Sequence, residues 1–223
     1  MKYITFLFFI SFTYSQWSSF KLSNLESDNK QNLLLYRYGG IVSTIQPYQE
    51  IKGLNRVSLG FSINKGLLNS GMIPIIQGQI KASWNLSFRG RMANYSEKES
   101  STQLYGWGLS LQFGKKNQPS KWKILFDSGT FNSFDQFKLN SIQSIVIRSF
   151  NLRNVPMYIG IGTNITGRIL QGKNEVKNSS KIKLQSNLIN IGGSFHFFRF
   201  RAIPQLWFGM DYNLISISFV SSF

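Results

Sequence analysis

The longest alternation of apolar and polar residues in the chain runs from Ile75 to Arg91. Ile76, Gly78, Ile80, Ala82, Trp84, Leu86 and Phe88 fall on one parity. Gln77, Gln79, Lys81, Ser83, Asn85, Ser87, Arg89 and Arg91 fall on the other. Period two is the signature of a strand with one dry and one wet face. The run predicts a single strand, well beyond the roughly 5–6 residues usual in globular proteins. It is long enough to cross a bilayer at a tilt, which takes about 9–11 residues.

The same pattern recurs along the chain. It predicts strands over Arg56–Asn64, Leu104–Gly114, Val155–Leu170, Ile182–Phe198 and Leu214–Phe223, with less regular ones over Lys121–Phe131, Phe137–Phe150 and Pro204–Met210. Leu33–Ile45 is the weakest member, interrupted by Gly39-Gly40, which reads as a bulge. The pattern gives about ten strands in all. Eight is the alternative, if Leu33–Ile45 is not a membrane strand and the last hairpins are drawn differently. Placing Phe223 on the periplasmic side and counting back puts the long connections 171–180, 92–102 and 46–55 outside, and the short 115–120, 151–154 and 199–202 inside. The connection 64–72 is too long for the inner turn this count assigns it.

Composition narrows the class. The chain has 223 residues, no cysteine and one histidine, His196, so disulfides, thiolate metal sites and multi-histidine centres are excluded. Aromatic residues make up 15%, yet mean hydropathy is slightly negative at −0.12. After the first residues no apolar run approaches the roughly 20 residues of a spanning helix. Trp84, Trp107, Trp122, Tyr158 and Trp207 are candidates for interfacial girdles. The net charge of +16 comes from scattered Lys and Arg, without the dense runs of a nucleic-acid binder. Solvated loops and a basic lumen account for it, with attraction to lipopolysaccharide phosphates or to anions in a pore as the sharper reading.

The two ends agree with export. Met1-Lys2 is a short basic start, Tyr3–Phe12 an apolar stretch, and Thr13-Tyr14-Ser15 a small-residue cleavage motif, so residues 1–15 are expected to be a signal peptide. Residues 16–32 would then form an N-terminal periplasmic segment and 33–223 the transmembrane unit. The ending Ile215-x-Ile217-x-Phe219-x-x-x-Phe223 carries a greasy face that finishes on an aromatic side chain. With these strands and this ending, nearly the whole chain resembles a small outer-membrane β-barrel protein of a Gram-negative-type bacterium. The resemblance implies an all-β, antiparallel up-and-down barrel in the outer membrane. It also implies that the barrel-assembly machinery reads Ile215, Ile217, Phe219 and Phe223 as the insertion signal. Ser221 departs from the hydrophobic residue such endings carry. The expected partners are outer-membrane lipid, lipopolysaccharide and that machinery, with no nucleic acid.

The polar parity supplies the candidate lumen residues: Lys81, Asn85, Arg89, Arg91, Asp127, Arg168, Ser194 and His196. Asp127, the one carboxylate expected within a strand, should pair with a lumen base such as Lys81 or Arg89. Ser194 and His196 lie two residues apart, the spacing of a nucleophile and its base. Their parity points them into the lumen, however, and their strand has no acid to orient the imidazole. Glu97 and Glu99 read as a solvated loop tip. No catalytic, metal or cofactor site is expected. Gly106, Gly108, Gly160 and Gly162 would thin the lumen lining. A lumen plugged by its own side chains is the main expectation, so the protein would have a structural or binding role without enzymatic activity. A narrow anion-preferring pore, a lipid-modifying barrel enzyme and a secreted soluble β-sandwich are the alternatives.

Overall fold

The computed structural model describes residues 17–20, 22, 29–51, 53–67, 71–97, 100–134, 136–170, 182–198, 200–210 and 212–223. The expected signal peptide, 1–15, lies outside them. A helix, α1 (Lys30–Thr44), precedes the strands β1 (Val57–Gly66), β2 (Ile73–Lys81), β3 (Leu86–Glu97), β4 (Ser100–Lys115), β5 (Gln118–Ser133) and β6 (Phe137–Leu152). β7 (Val155–Leu170), β8 (Lys183–Gly193), β9 (Phe195–Phe197), β10 (Phe200–Gly209) and β11 (Asn213–Ser222) complete the chain. The short β9 continues the line of β8, and both pair with β10. Every pairing is antiparallel, and β11 returns to β1 from Ser58↔Ser222 to Gly66↔Leu214, so ten strand positions close into a barrel.

Closure and face polarity together define the solvent. Leu59, Phe61, Ile76, Ile80, Phe88, Trp107, Ile142, Ile161 and Ile217 all point outward and are exposed. Their inward neighbours Ser58, Ser62, Gln77, Gln79, Arg89, Gln143, Asn164 and Ser218 are buried. A soluble sandwich would show the reverse arrangement, so that alternative is corrected. A closed sheet leaves no unpaired edge in lipid, and an apolar outside around a polar inside is the architecture of outer-membrane barrels. Among the described residues no helix is long and apolar enough to cross a membrane. The barrel crosses with its strands.

The count of ten holds, but the division differs in two places. The single strand expected over 75–91 is the hairpin β2–β3, turned at 82–85. Ala82 and Ser83 N–H both donate to Leu86 O, and Ser83 Oγ accepts from Leu86 N–H. The register pairs Gln79 with Arg89 and Gly78 with Gly90. Odd therefore faces odd across the turn, and the alternation passes through the hairpin unbroken. At β3–β4 the register pairs Leu86 with Leu111, so the parity switches and the boundary shows in the sequence. Conversely, Leu33–Ile45 is not a strand: Lys30–Thr44 forms α1. One strand lost and one gained leave the total unchanged.

The new division also corrects the loops. The connection 64–72 lies at the end away from Phe223, where length is no objection, and 46–55 lies toward the Phe223 end. The expected loop 92–102 is mostly strand: β3 runs to Glu97 and β4 starts at Ser100. At the Phe223 end the β6–β7 turn is two residues, Arg153 (φ 46°) and Asn154 (φ 68°). Positive φ at both positions gives the turn whose twist matches the flanking strands. Tyr158 and Trp207 are buried and face inward, with the parity of Asn164 and of Gln205, so they are not girdle residues. Trp107 and Trp122 do face outward.

The barrel wall is uneven. β4, β5, β6 and β7 each have 16 residues, whereas β1, β10 and β11 have 10. About 9–11 tilted residues cross the bilayer, so the tall wall rises roughly 10–15 Å further at the end away from Phe223. Inside that extension lies an aromatic core. Phe20 sits against Phe131 and Tyr38, with ring centroids 4.4 and 5.4 Å apart, and Tyr36 sits edge-on to Phe137 at 4.9 Å.

Candidate functional site: a helix in the lumen

The α1 sequence, KQNLLLYRYGGIVST, begins at Asn29, whose side chain accepts from Gln31 N–H as an N-cap. It stops at Ile45, two residues before Pro47, which cannot continue a helix. Its second half is buried on every side: Tyr36, Tyr38 and Gly39–Thr44 have essentially no solvent contact. A helix enclosed in this way needs no amphipathic stripe. It lies against β4, β5, β6 and β7, inside the barrel.

Glycine makes the close approach. A Cβ on Gly40 would collide with Thr166 Oγ1 and stand 2.8 Å from Ser141 Oγ. One on Gly106 would stand 2.9 Å from Ser43 O, and one on Gly129 would strike Ser43 O outright. Two adjacent glycines in a helix interior each cost about 0.5–1 kcal/mol relative to alanine. The wall contact they permit offsets that cost. Gly106 was expected to leave space in the lumen; the helix occupies it.

The helix C-terminus is where the candidate residues meet. The last carbonyls of a helix have no partner within it, and the wall supplies donors. Arg91 Nε donates to Ser43 O at 2.6 Å, and an Arg89 Nη donates to Gln46 O at 2.8 Å. Thr44 Oγ1 donates to Gln143 Oε1 and accepts from Asn164 Nδ2. Two guanidinium groups also complement the negative end of the helix dipole. Asp127 bridges them, at 3.1 Å from Arg89 and 2.9 Å from Arg91, with all three side chains buried. The expected pairing of Asp127 with Arg89 is present, and Arg91 joins it.

The other candidates are dispersed. Lys81 donates to Ile51 O, on the stretch that leads from α1 to β1. The Arg168 guanidinium lies 4.8 Å from the centre of the Tyr36 ring. Asn85 sits in the β2–β3 turn, bonded to Ser83. Ser194 stands at the break between β8 and β9, where its N–H donates to Pro156 O. His196 is exposed at the barrel end, opposite Arg201 in the register. Ile215, Ile217 and Phe219 line the outer face of β11, and Phe223 pairs its backbone with Val57.

The sequence reading missed Lys123, which bonds Tyr48 Oη and stands 3.7 Å from Glu50. It also missed Tyr38, whose hydroxyl accepts from Gly66 N–H. Lys123 shares the face of Asp127 in the sequence, but strand parity does not show its partner Tyr48, which lies on the stretch from α1 to β1. Small spaces remain beside the plug: one of about 60 Å³ among Gln49, Lys81, Ser110 and Lys123, and one of about 140 Å³ among Arg37, Ile41, Leu188 and Tyr212.

Ahead of the helix, the chain is fixed at the far rim. Ser18 N–H donates to Met72 O at 3.0 Å, Tyr95 Oη to Ser18 O at 3.2 Å, and Ser133 Oγ to Phe20 O at 3.1 Å. Residues 17–20 therefore lie at the end opposite Phe223. They do not sit beside the C-terminus.

No protein-family model and no curated protein matches the chain. Among solved structures, a KdgM porin in complex with disordered oligogalacturonate superposes with a TM-score of 0.39 at 8% identity, covering 74% of this chain and 99% of that one. The outer membrane protein Omp33 of Acinetobacter baumannii gives 0.37 at 10%, covering 77% and 100%. The translocator domain of the autotransporter NalP from Neisseria meningitidis gives 0.38 at 10%, covering 78% and 90%. The closed wall, the lipid-facing belt and the filled lumen are this chain's own. It is a closed β-barrel of ten strands with an apolar outer face, and it holds a helix of its own inside.

Proposed function

We propose that the protein is a non-enzymatic outer-membrane barrel, closed at rest, with a structural or binding role rather than that of a standing anion pore. The observation that carries this reading is the bond between the α1 C-terminus and the Arg89–Asp127–Arg91 group. It places helix, side chains and aromatic rings where an open channel would need water. The basic lumen residues are spent on carbonyls, a carboxylate and rings: Arg91 on Ser43, Lys81 on Ile51, and Arg168 beside Tyr36.

The exposed outer parts of the tall wall and the excess of basic residues suit contact with anionic headgroups such as those of lipopolysaccharide. His196 has the wrong surroundings for a general base. It is exposed at the rim, and the residue across from it is a cation, Arg201. The His196→Ala variant should leave outer-membrane lipid composition unchanged; altered acyl chains would revive the enzyme reading. For the main reading, refolded protein in a planar bilayer is expected to show no steady conductance. A constant ohmic current from every inserted molecule would refute it.

A further inference from the structure

The plug is held unevenly: on the β10–β11–β1–β2 side its directed bonds reach only backbone groups, Gln46 Nε2 donating to Gly78 O and Gly66 N–H to Tyr38 Oη. Its bonds with wall side chains go to β3–β7, from Arg89, Arg91, Gln143 and Asn164. The opposite inner wall, β10–β11–β1–β2, carries a patch of uncharged polar groups beside the buried Ile203, Trp207 and Leu214. Gln205, Ser216, Ser218, Asn64 and Gln77 are each at most 4% exposed. The register sets Ser216 beside Gln205 on one strand and Asn64 on the other, so the three form one row across β10, β11 and β1. Ser218 stands beside Ser62 in the next row.

With the lumen filled, both amide atoms of Gln77 and of Gln205, both serine hydroxyls and Asn64 Oδ1 have no hydrogen-bond partner. Buried polar groups in folded proteins are nearly all partnered, and an orphaned one carries its full desolvation penalty. The lipid does not require this polarity, because these side chains face inward. Nor does the plug use it. Water entering the lumen would satisfy the whole row.

We infer that α1 is a reversible gate. In a second state, segment 30–46 leaves its seat, water enters along the Gln205–Ser216–Asn64 row, and the barrel passes small anions. The inference rests on the closed resting state proposed above. The anion preference follows from the wall that the helix vacates. There Arg89, Arg91, Lys123 and Arg168 face inward against Asp127, and a constriction lined by fixed positive charge selects anions. Two opposed terms set the gate: bonds to the tall wall favour closure, and hydration of the short wall favours opening.

Single-channel recording in planar bilayers, on full-length refolded protein, tests both terms. Wild type is expected to be closed with brief openings. Gly40→Val drives a side chain into Thr166 and Ser141 and should raise the open probability at least about tenfold. The triple variant Ser216→Ala, Ser218→Ala, Gln205→Leu removes most of the orphaned groups and should lower it about tenfold. Openings should show an anion-selective reversal potential in a KCl gradient. The cysteine-free chain also permits a lock. Gly40→Cys with Ser141→Cys, in a Thr166→Ala background, should abolish openings until reductant is added.

A Gly40→Val protein that keeps its heat-modifiable gel mobility yet stays silent overturns the inference. So does a triple variant that opens as often as wild type, a locked protein that opens as often as the reduced one, or cation-selective openings. A constant current through wild type and oxidised lock alike would instead sink the closed-barrel reading itself.

Discussion

Asp127 is the residue on which the interior turns. It is the one buried carboxylate among the described residues, and it separates two buried guanidinium groups. Removing one member of such a group leaves an uncompensated charge and costs about 3–5 kcal/mol, whereas replacing the whole group by apolar side chains costs little or nothing. Asp127→Ala should therefore lower the urea midpoint of unfolding, read by the heat-modifiable gel shift, by the equivalent of that amount. Arg89→Met with Arg91→Met and Asp127→Leu should fall much less. It should also loosen α1, because Ser43 O and Gln46 O lose their donors. Equal losses for the single and triple changes would remove the ion group from its assigned role. Parity alone placed Asp127 with Arg89. It also put Arg91 on the same face, but not its bond to Ser43 O, because that carbonyl belongs to a helix that strand periodicity does not describe.

At the scale of elements, each strand carries its environment on its two faces. Ile161 projects from the middle of β7 into the lipid belt and is 66% exposed, while Asn164 on the other face is buried. Ile161→Lys should cost about 2–4 kcal/mol, as charges do at the bilayer midplane of a barrel, measured by denaturant titration in lipid vesicles. A loss below 0.5 kcal/mol would mean that this face does not meet lipid. These faces were legible in the sequence because period two survives in every strand. Boundaries were legible only where parity breaks. The β3–β4 turn shifts it and the β2–β3 turn does not, so that hairpin reads as one strand. The helix was hidden for a different reason. Enclosed on all sides, it shows no apolar stripe, and Gly39-Gly40 lowers its intrinsic propensity. The signals present were the Asn29 cap and the Pro47 stop, which mark the ends of a helix without revealing its interior.

At the scale of the molecule, chain direction becomes a statement about sidedness. Asn29 is exposed at the start of α1, and Asn55 is exposed beside Ser222, where its side chain donates to the Ser222 carbonyl. The tall wall rises toward the Asn29 end, the side on which outer-membrane barrels carry their longer loops. In this cysteine-free chain, Asn29→Cys should react with a membrane-impermeant maleimide on intact cells. Asn55→Cys should react only after the outer membrane is breached. The opposite pattern would invert the barrel. The central claim, that the lumen is filled by the chain's own helix, is tested most directly by hydrogen–deuterium exchange of the refolded wild-type protein in detergent. Amides of residues 36–44 are predicted to exchange as slowly as those in the middle of β5, β6 and β7. Exchange at the rate of a free peptide, with the strands still protected, would place the helix outside the barrel and contradict the account.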